Sequence, residues 1–157
     1  MKLTFFGGAK SVTGANYLLE YSGGKILVDC GMFQGLDFVA NANYEPFHYN
    51  PAEIDFLFVT HGHIDHIGRI PKLVRDGFRG RIIATEPTVE LAQLSLRDSV
   101  RIIGEEAKMH GKEPFFTMVD VEAADQYFQT TRYGRTIELP GNGRVTVLSA
   151  GHVLGSA

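Results

Sequence analysis

The sequence predicts an α/β layered fold, and three observations carry that expectation. Short strand-like runs broken by glycine pairs fill the first third, and helix-period segments alternate with strands further on. One nearly all-apolar stretch, Asp55–Thr60, has the character of a strand covered on both faces. Strands first, then helices set between strands, is the pattern of an α/β layered domain.

Each element follows from local chemistry. Lys2–Phe6, Ala15–Tyr21 and Lys25–Asp29 read as strands separated by Gly7-Gly8 and by the turn Ser22-Gly23-Gly24. Residues 31–50, irregular and rich in Asn, Gly and aromatics, form a loop long enough to suggest a role. Pro71 suits the first turn of a short helix running to Asp76, and Arg81–Ala84 reads as a further strand. A longer helix starts near Pro87, where Val89, Ala92, Leu96, Val100 and Ile103 share one face. Asp120–Gln129 is predicted helical with Val121, Ala124 and Phe128 inward. Two strands around Pro140-Gly141-Asn142-Gly143, the second being Arg144–Ala150, close as a hairpin.

Composition narrows the function classes. The 157 residues suit one domain, 44% hydrophobic and 21% charged. A net charge of −3 gives no global basic field, so a polyanion would have to be met by a local patch or a bound metal. The N-terminal apolar run is too short for a signal peptide and no stretch reaches the length of a membrane span, so no membrane partner is expected. The single Cys30 excludes an internal disulfide and fits a reducing, cytoplasmic setting.

Chemistry concentrates in His61-Gly62-His63-Ile64-Asp65-His66, directly after the buried strand. Histidines at i and i+2 of an extended segment project to one side, so His61 and His63 can converge on one ion, and Gly62 lets the backbone bend between them. Asp65 and His66 follow a change of direction and aim at a displaced point, suited to a second ion. Imidazole and carboxylate suit zinc. The helix that follows would offer its positive end to an anion. His152 leaves the end of a distant strand as His61 does, and ligands at the carboxyl ends of strands meet at one sheet edge. Asp29 also ends a strand; it is placed to accept a hydrogen bond that orients a ligand imidazole, a turn cap being the alternative. Cys30, facing the other way, reads as packing, and His48 and His110 as solvated. Arg69, Lys72, Arg75, Arg79 and Arg81 form either a phosphate-tracking stripe or a solvated helix face.

At these residues the sequence resembles the metallo-β-lactamase superfamily, whose signature is His-x-His-x-Asp-His. Gly7–Asn16, Leu27–Gly35 and Ala150–Ala157 (Ala-Gly-His-Val-Leu-Gly-Ser-Ala) are similar to its β-CASP branch of nucleic-acid-processing nucleases. The resemblance implies an αββα sandwich of which residues 1–157 are the N-terminal part, with the β-CASP insertion and the C-terminal half absent. It implies two zinc ions, one held by His61, His63 and His152 and the other by Asp65 and His66, with Asp65 catalytic. It implies a metal-bridging hydroxide that attacks phosphorus in single-stranded RNA. On the same pattern the family uses further ligands later in the chain, so the piece alone is expected to be inactive; with the second half of the sandwich missing, bare apolar faces and strand edges are expected to make it self-associate, as a homo-oligomer or less regularly. The competing readings are another hydrolase of the superfamily, thioesterase-like or lactam-opening, and a non-catalytic module that binds RNA or a partner.

Overall fold

A computed structural model describes residues 1–35 and 41–157; the segment 36–40 of the expected long loop lies outside the described residues. Six strands form one sheet: β1 (Lys2–Gly7), β2 (Asn16–Tyr21), β3 (Gly24–Val28), β4 (Phe56–Phe58), β5 (Arg81–Thr85) and β6 (Phe128–Thr131). They lie side by side in sequence order. A loop over residues 8–15 and the tight turn at Ser22-Gly23 leave β1–β2–β3 antiparallel, and the longer connections make β3–β4–β5–β6 parallel. The helices are α1 (Ile64–Ile67), α2 (Ile70–Arg75), α3 (Glu86–Met109) and α4 (Met118–Asp125). A separate hairpin pairs β7 (Thr136–Leu139) with β8 (Gly143–Thr146).

The period-2 alternation of strands sorts the apolar residues into two layers. Leu18, Leu27, Leu57, Ile82 and Phe128 stand opposite one another across five neighbouring strands. They face Ile67, Ile70, Leu73, Val89, Ala92, Leu96 and Val121 of the four helices. On the other side Ile26, Phe56, Phe58 and Ile83 pack against Leu139, Ile137 and Val145 of the hairpin. The order is therefore helices, large sheet, small sheet. Leu57 is wholly buried in the middle of the first layer, so truncating it to Ala costs about 2–5 kcal/mol. Phe56, Leu57 and Phe58 are all buried, as expected for a strand covered on both sides.

Three expectations are corrected. Phe128 does face the core, but as the first residue of β6; the helix stops at Asp125 and Tyr127 N–H bonds Ala124 O, turning the chain into the sheet. The last strand is Gly143–Thr146, shorter than Arg144–Ala150, and only alternate residues of it are shielded. The basic cluster is not one uniform face: Arg75, Arg79 and Arg81 are exposed, but the other two members are not. Arg69 and Lys72 are buried. Arg69 Nε donates to Gly31 O at 2.6 Å, with its guanidinium 4.6 Å from the Phe33 ring centre and 5.3 Å from that of Phe47. Lys72 pairs with Asp76 at 2.6 Å and lies over Phe47, while Arg81 lies over Phe56. These cations fasten aromatic side chains through packing and cation–π contact.

Candidate metal centre

The sheet edge that carries the histidine run begins at the end of β3. Asp29 has φ 59°, a left-handed conformation that Asp tolerates better than most residues, and Asn16 Nδ2 donates to its carbonyl at 2.8 Å. The turn swings a carboxylate only 1% exposed under the loop after β4. There it accepts from Thr60 N–H at 2.8 Å, from the Thr60 hydroxyl at 2.8 Å and from His66 Nδ1 at 2.7 Å. Asp29 is thus hydrogen-bonded to an imidazole of the motif, as its position predicts, and also fastens the strand that leads into it.

Residues 30–32 run on as a brace beneath the motif. Cys30 N–H bonds His66 O at 2.8 Å, Met32 N–H bonds Ile64 O at 3.1 Å and Ala15 N–H bonds Asp65 O at 2.9 Å. Cys30 is fully buried among the core residues, and burial pushes its thiol up to about 12. His48 and His110 are exposed, as expected. Gly62 is needed for a different reason from backbone bending: a Cβ there would lie 2.9 Å from Leu91 Cβ, so its absence lets α3 approach the motif. The four-residue α1 carries Asp65 and His66 themselves, and the helix after the motif, α2, is only six residues long, too short to carry an anion site by its dipole.

Bonding assigns the ring nitrogens. Because the Thr60 hydroxyl donates to Asp29, its oxygen accepts from His61 Nδ1 at 3.0 Å, which leaves His61 Nε2 with a free lone pair. That Nε2 is 3.1 Å from His63 Nδ1. Two nitrogens bound tetrahedrally to one zinc at about 2.05 Å lie about 3.3 Å apart, so the pair is spaced for one ion. His152 completes the group: one nitrogen from each of His61, His63 and His152 lies within 4.8 Å of the others. His61 is buried and the other two are exposed, so the group opens to solvent. Three imidazoles with an open fourth side match the donor set of a zinc site that leaves a position free.

Asp65 and His66 lie beside this group but outside it. His66 Nε2 is 3.6 Å from Asp65 Oδ2, and the His61 and His66 ring centres are 4.0 Å apart. The two pKa values diverge. Burial, then the neighbouring His66, pushes His61 down to about 4 against the pull of Asp29, so it is neutral and able to donate a lone pair. Burial works to lower His66 too, but the Asp29 hydrogen bond and charge, with Asp65, outweigh it and raise the pKa. His152 sits in a loop closed by Ala150 N–H on Ser156 O at 3.1 Å, and Ser156 Oγ accepts from His152 N–H at 3.0 Å. Thr60 and Ser156 were not singled out from the sequence; the signal for Thr60 is a hydroxyl placed immediately before the ligand run at a strand end.

The family model described as metallo-beta-lactamase superfamily matches residues 12–136. The chain belongs to that superfamily. Ribonuclease TTHA0252 of Thermus thermophilus is 40% identical over all of this chain, which spans 34% of that protein. Transcription termination factor FttA of Methanocaldococcus jannaschii is 32% identical over the whole chain, which covers 24% of it. Endoribonuclease YSH1 of Saccharomyces cerevisiae is 29% identical over 99% of the chain and is covered to 20%. Among solved structures, a metallo-beta-lactamase of Cronobacter sakazakii superposes with a TM-score of 0.56, over 92% of this chain and 50% of that one, at 21% identity. That likeness confirms the metallo-beta-lactamase fold, of which the helix–sheet–sheet layers are the part seen here. The chain spans about a third or less of the length of these sequence relatives, whose names are of the kind the β-CASP resemblance implies.

Proposed function

We propose that this chain forms the metal-binding part of a zinc-dependent ribonuclease of the β-CASP branch, hydrolysing phosphodiester bonds of single-stranded RNA. In this reading His61, His63 and His152 hold one zinc, and Asp65 and His66 hold a second. The observation that carries the metal half is the 3.1 Å approach of His61 Nε2 to His63 Nδ1, with His152 closing the group. The choice of RNA is supported by the ribonuclease and endoribonuclease among the relatives.

Zinc held there would supply Lewis acidity toward a phosphodiester and lower the pKa of water. The chain's own residues prepare the site. Thr60 fixes the proton on His61 Nδ1, and Asp29 holds that of His66 at Nδ1, so both rings present Nε2 outward. Asp65, backed by the hydrogen bond from Ala15 N–H to its carbonyl, supplies the anionic ligand for the second ion.

Metal analysis of the purified chain and of His63→Ala tests the first site: the wild type should retain zinc and the variant lose it, and equal metal contents would refute the assignment. Cleavage of single-stranded RNA by the full-length protein tests the second. Asp65→Ala should abolish it, and a full-length protein that opened a β-lactam or thioester but left RNA intact would overturn the ribonuclease reading.

A further inference from the structure

The loop that delivers His152 is held from outside the ligand set by two buried threonines at the start of α3. Thr85 is 3% exposed and Thr88 is 0%. Thr85 precedes the helix as its N-cap, yet its side chain makes no capping bond. Both hydroxyls turn to one carbonyl instead: Thr85 Oγ1 donates to Gly155 O at 2.6 Å and Thr88 Oγ1 donates to it at 2.9 Å. The two hydroxyl oxygens are 3.0 Å apart, so three oxygens close a small triangle with both lone pairs of the carbonyl occupied. Gly155 has φ +82°, and a Cβ there would meet both Thr oxygens and Thr88 N–H at 2.7–2.8 Å. Glycine at 155 and threonines at 85 and 88 are therefore one fitted unit.

That unit sets the reach of His152. Gly155 is followed by Ser156, whose hydroxyl accepts from both His152 N–H and Val153 N–H. Ala157 N–H then bonds Thr60 O at 2.9 Å, next to His61. The backbone of His152 is thus fixed on one side by the helix and on the other by the strand that carries the first two ligands.

We infer that Thr85 and Thr88 are positioning residues for the metal centre, holding His152 at the distance from His61 and His63 that one ion requires. The inference rests on the metal reading proposed above. Without the hydroxyls the Gly155 carbonyl is buried unpaired, and the loop recovers its hydrogen bonds only by moving toward water. Groups that orient ligands from behind typically change metal affinity by about 10- to 100-fold.

The test uses the chain with cobalt(II) or zinc, read by titration calorimetry and by the visible absorption of bound cobalt. Thr85→Val and Thr88→Val keep shape and lose the hydroxyl; each should weaken binding by about tenfold or more and alter the cobalt spectrum, with Thr85→Ser and Thr88→Ser restoring both. Ser99→Ala, which removes a buried hydroxyl of the same helix bonded to Leu96 O, should leave affinity unchanged. If the valine variants unfold, Gly155→Ala and the serine variants carry the test: Gly155→Ala should lose affinity and the serines keep it. Valine variants that lower the thermal midpoint but bind metal as wild type does would overturn the inference while leaving the metal site standing. A wild type that binds neither ion would remove the metal reading itself, and this inference with it.

Discussion

Replacing Gly31 by Ala tests whether the brace beneath the motif holds Asp65 and His66 in place. Gly31 does not need a left-handed backbone; it needs space. A Cβ there would fall 1.6 Å from Asp65 O, 2.2 Å from its carbonyl carbon and 2.8 Å from His66 N. A carbon needs about 3.2 Å from an oxygen, so the two segments must part by roughly 1.5 Å. That separation breaks Cys30 N–H to His66 O and Met32 N–H to Ile64 O, now 2.8 and 3.1 Å. Two buried backbone bonds left unmade cost about 1–3 kcal/mol each, and the overpacking about 1–3 kcal/mol more, giving roughly 3–9 kcal/mol. A domain of this size has only about 5–15 kcal/mol in hand, so Gly31→Ala should unfold at much lower urea or fail to fold. Gly104→Ala is the counterpart: Gly104 lies within α3 with nothing within 4 Å of its missing Cβ, and alanine there should stabilise by about 0.5–1 kcal/mol. Urea unfolding of both variants decides the matter. A Gly31→Ala midpoint equal to that of wild type would refute the steric argument.

Three further outcomes are expected. His61 is held near 4 in the fold and ionises near 6.5 when unfolded, so the stability it contributes is present above about 6.5 and is lost as pH falls toward 4. Metal-free wild type should therefore weaken over that window more than His61→Gln, and parallel pH profiles would contradict this. His66 has the opposite sign: its pKa is raised, so its contribution is full below about 6.5 and lost as pH rises through the folded value. Asp29→Asn removes the main charge responsible, and NMR titration of the metal-free protein should show the His66 pKa fall; an unmoved titration would clear Asp29 of that role. Lastly, Leu3 and Phe5 are 51% and 56% exposed on the hairpin side of the sheet, and Leu148, 66% exposed, lines a cleft there with Leu19, Ile26 and Val145. Sedimentation should show concentration-dependent association of this chain that Phe5→Lys with Leu148→Lys reduces, whereas a monomer at every concentration would refute the apolar-surface argument.

The parts of this site that were legible in the sequence are those whose chemistry is local. Three histidines and an aspartate within six residues after a buried strand announce a metal centre without knowledge of packing, and His152 could be added because it too follows a strand. Contacts between distant segments left no such trace. Nothing near Thr85 or Thr88 says that a carbonyl seventy or so positions away will sit between their hydroxyls. The role of Gly62 depends on α3 arriving against it, and the buried state of Arg69 and Lys72 on aromatics from a preceding loop. Phe128 shows a different limit: an inward residue just past a helical stretch fits the helix period as well as it fits the first position of a strand.

The order in which the ligands occur along the chain has a consequence for how the protein is made. His61, His63, Asp65 and His66 leave the ribosome together, and His152 follows about ninety residues later, roughly 5–18 seconds at ordinary rates of synthesis. In the proposed reading, the early residues could through that interval hold zinc only as a flexible peptide does, by few donors and with constant exchange. On the inference drawn above, tight capture would wait until α3 has formed and Thr85 and Thr88 have received the carbonyl of Gly155. Metal should therefore enter late, onto a sheet already assembled. A shortage of zinc would then leave behind a folded apoprotein rather than an unfolded chain.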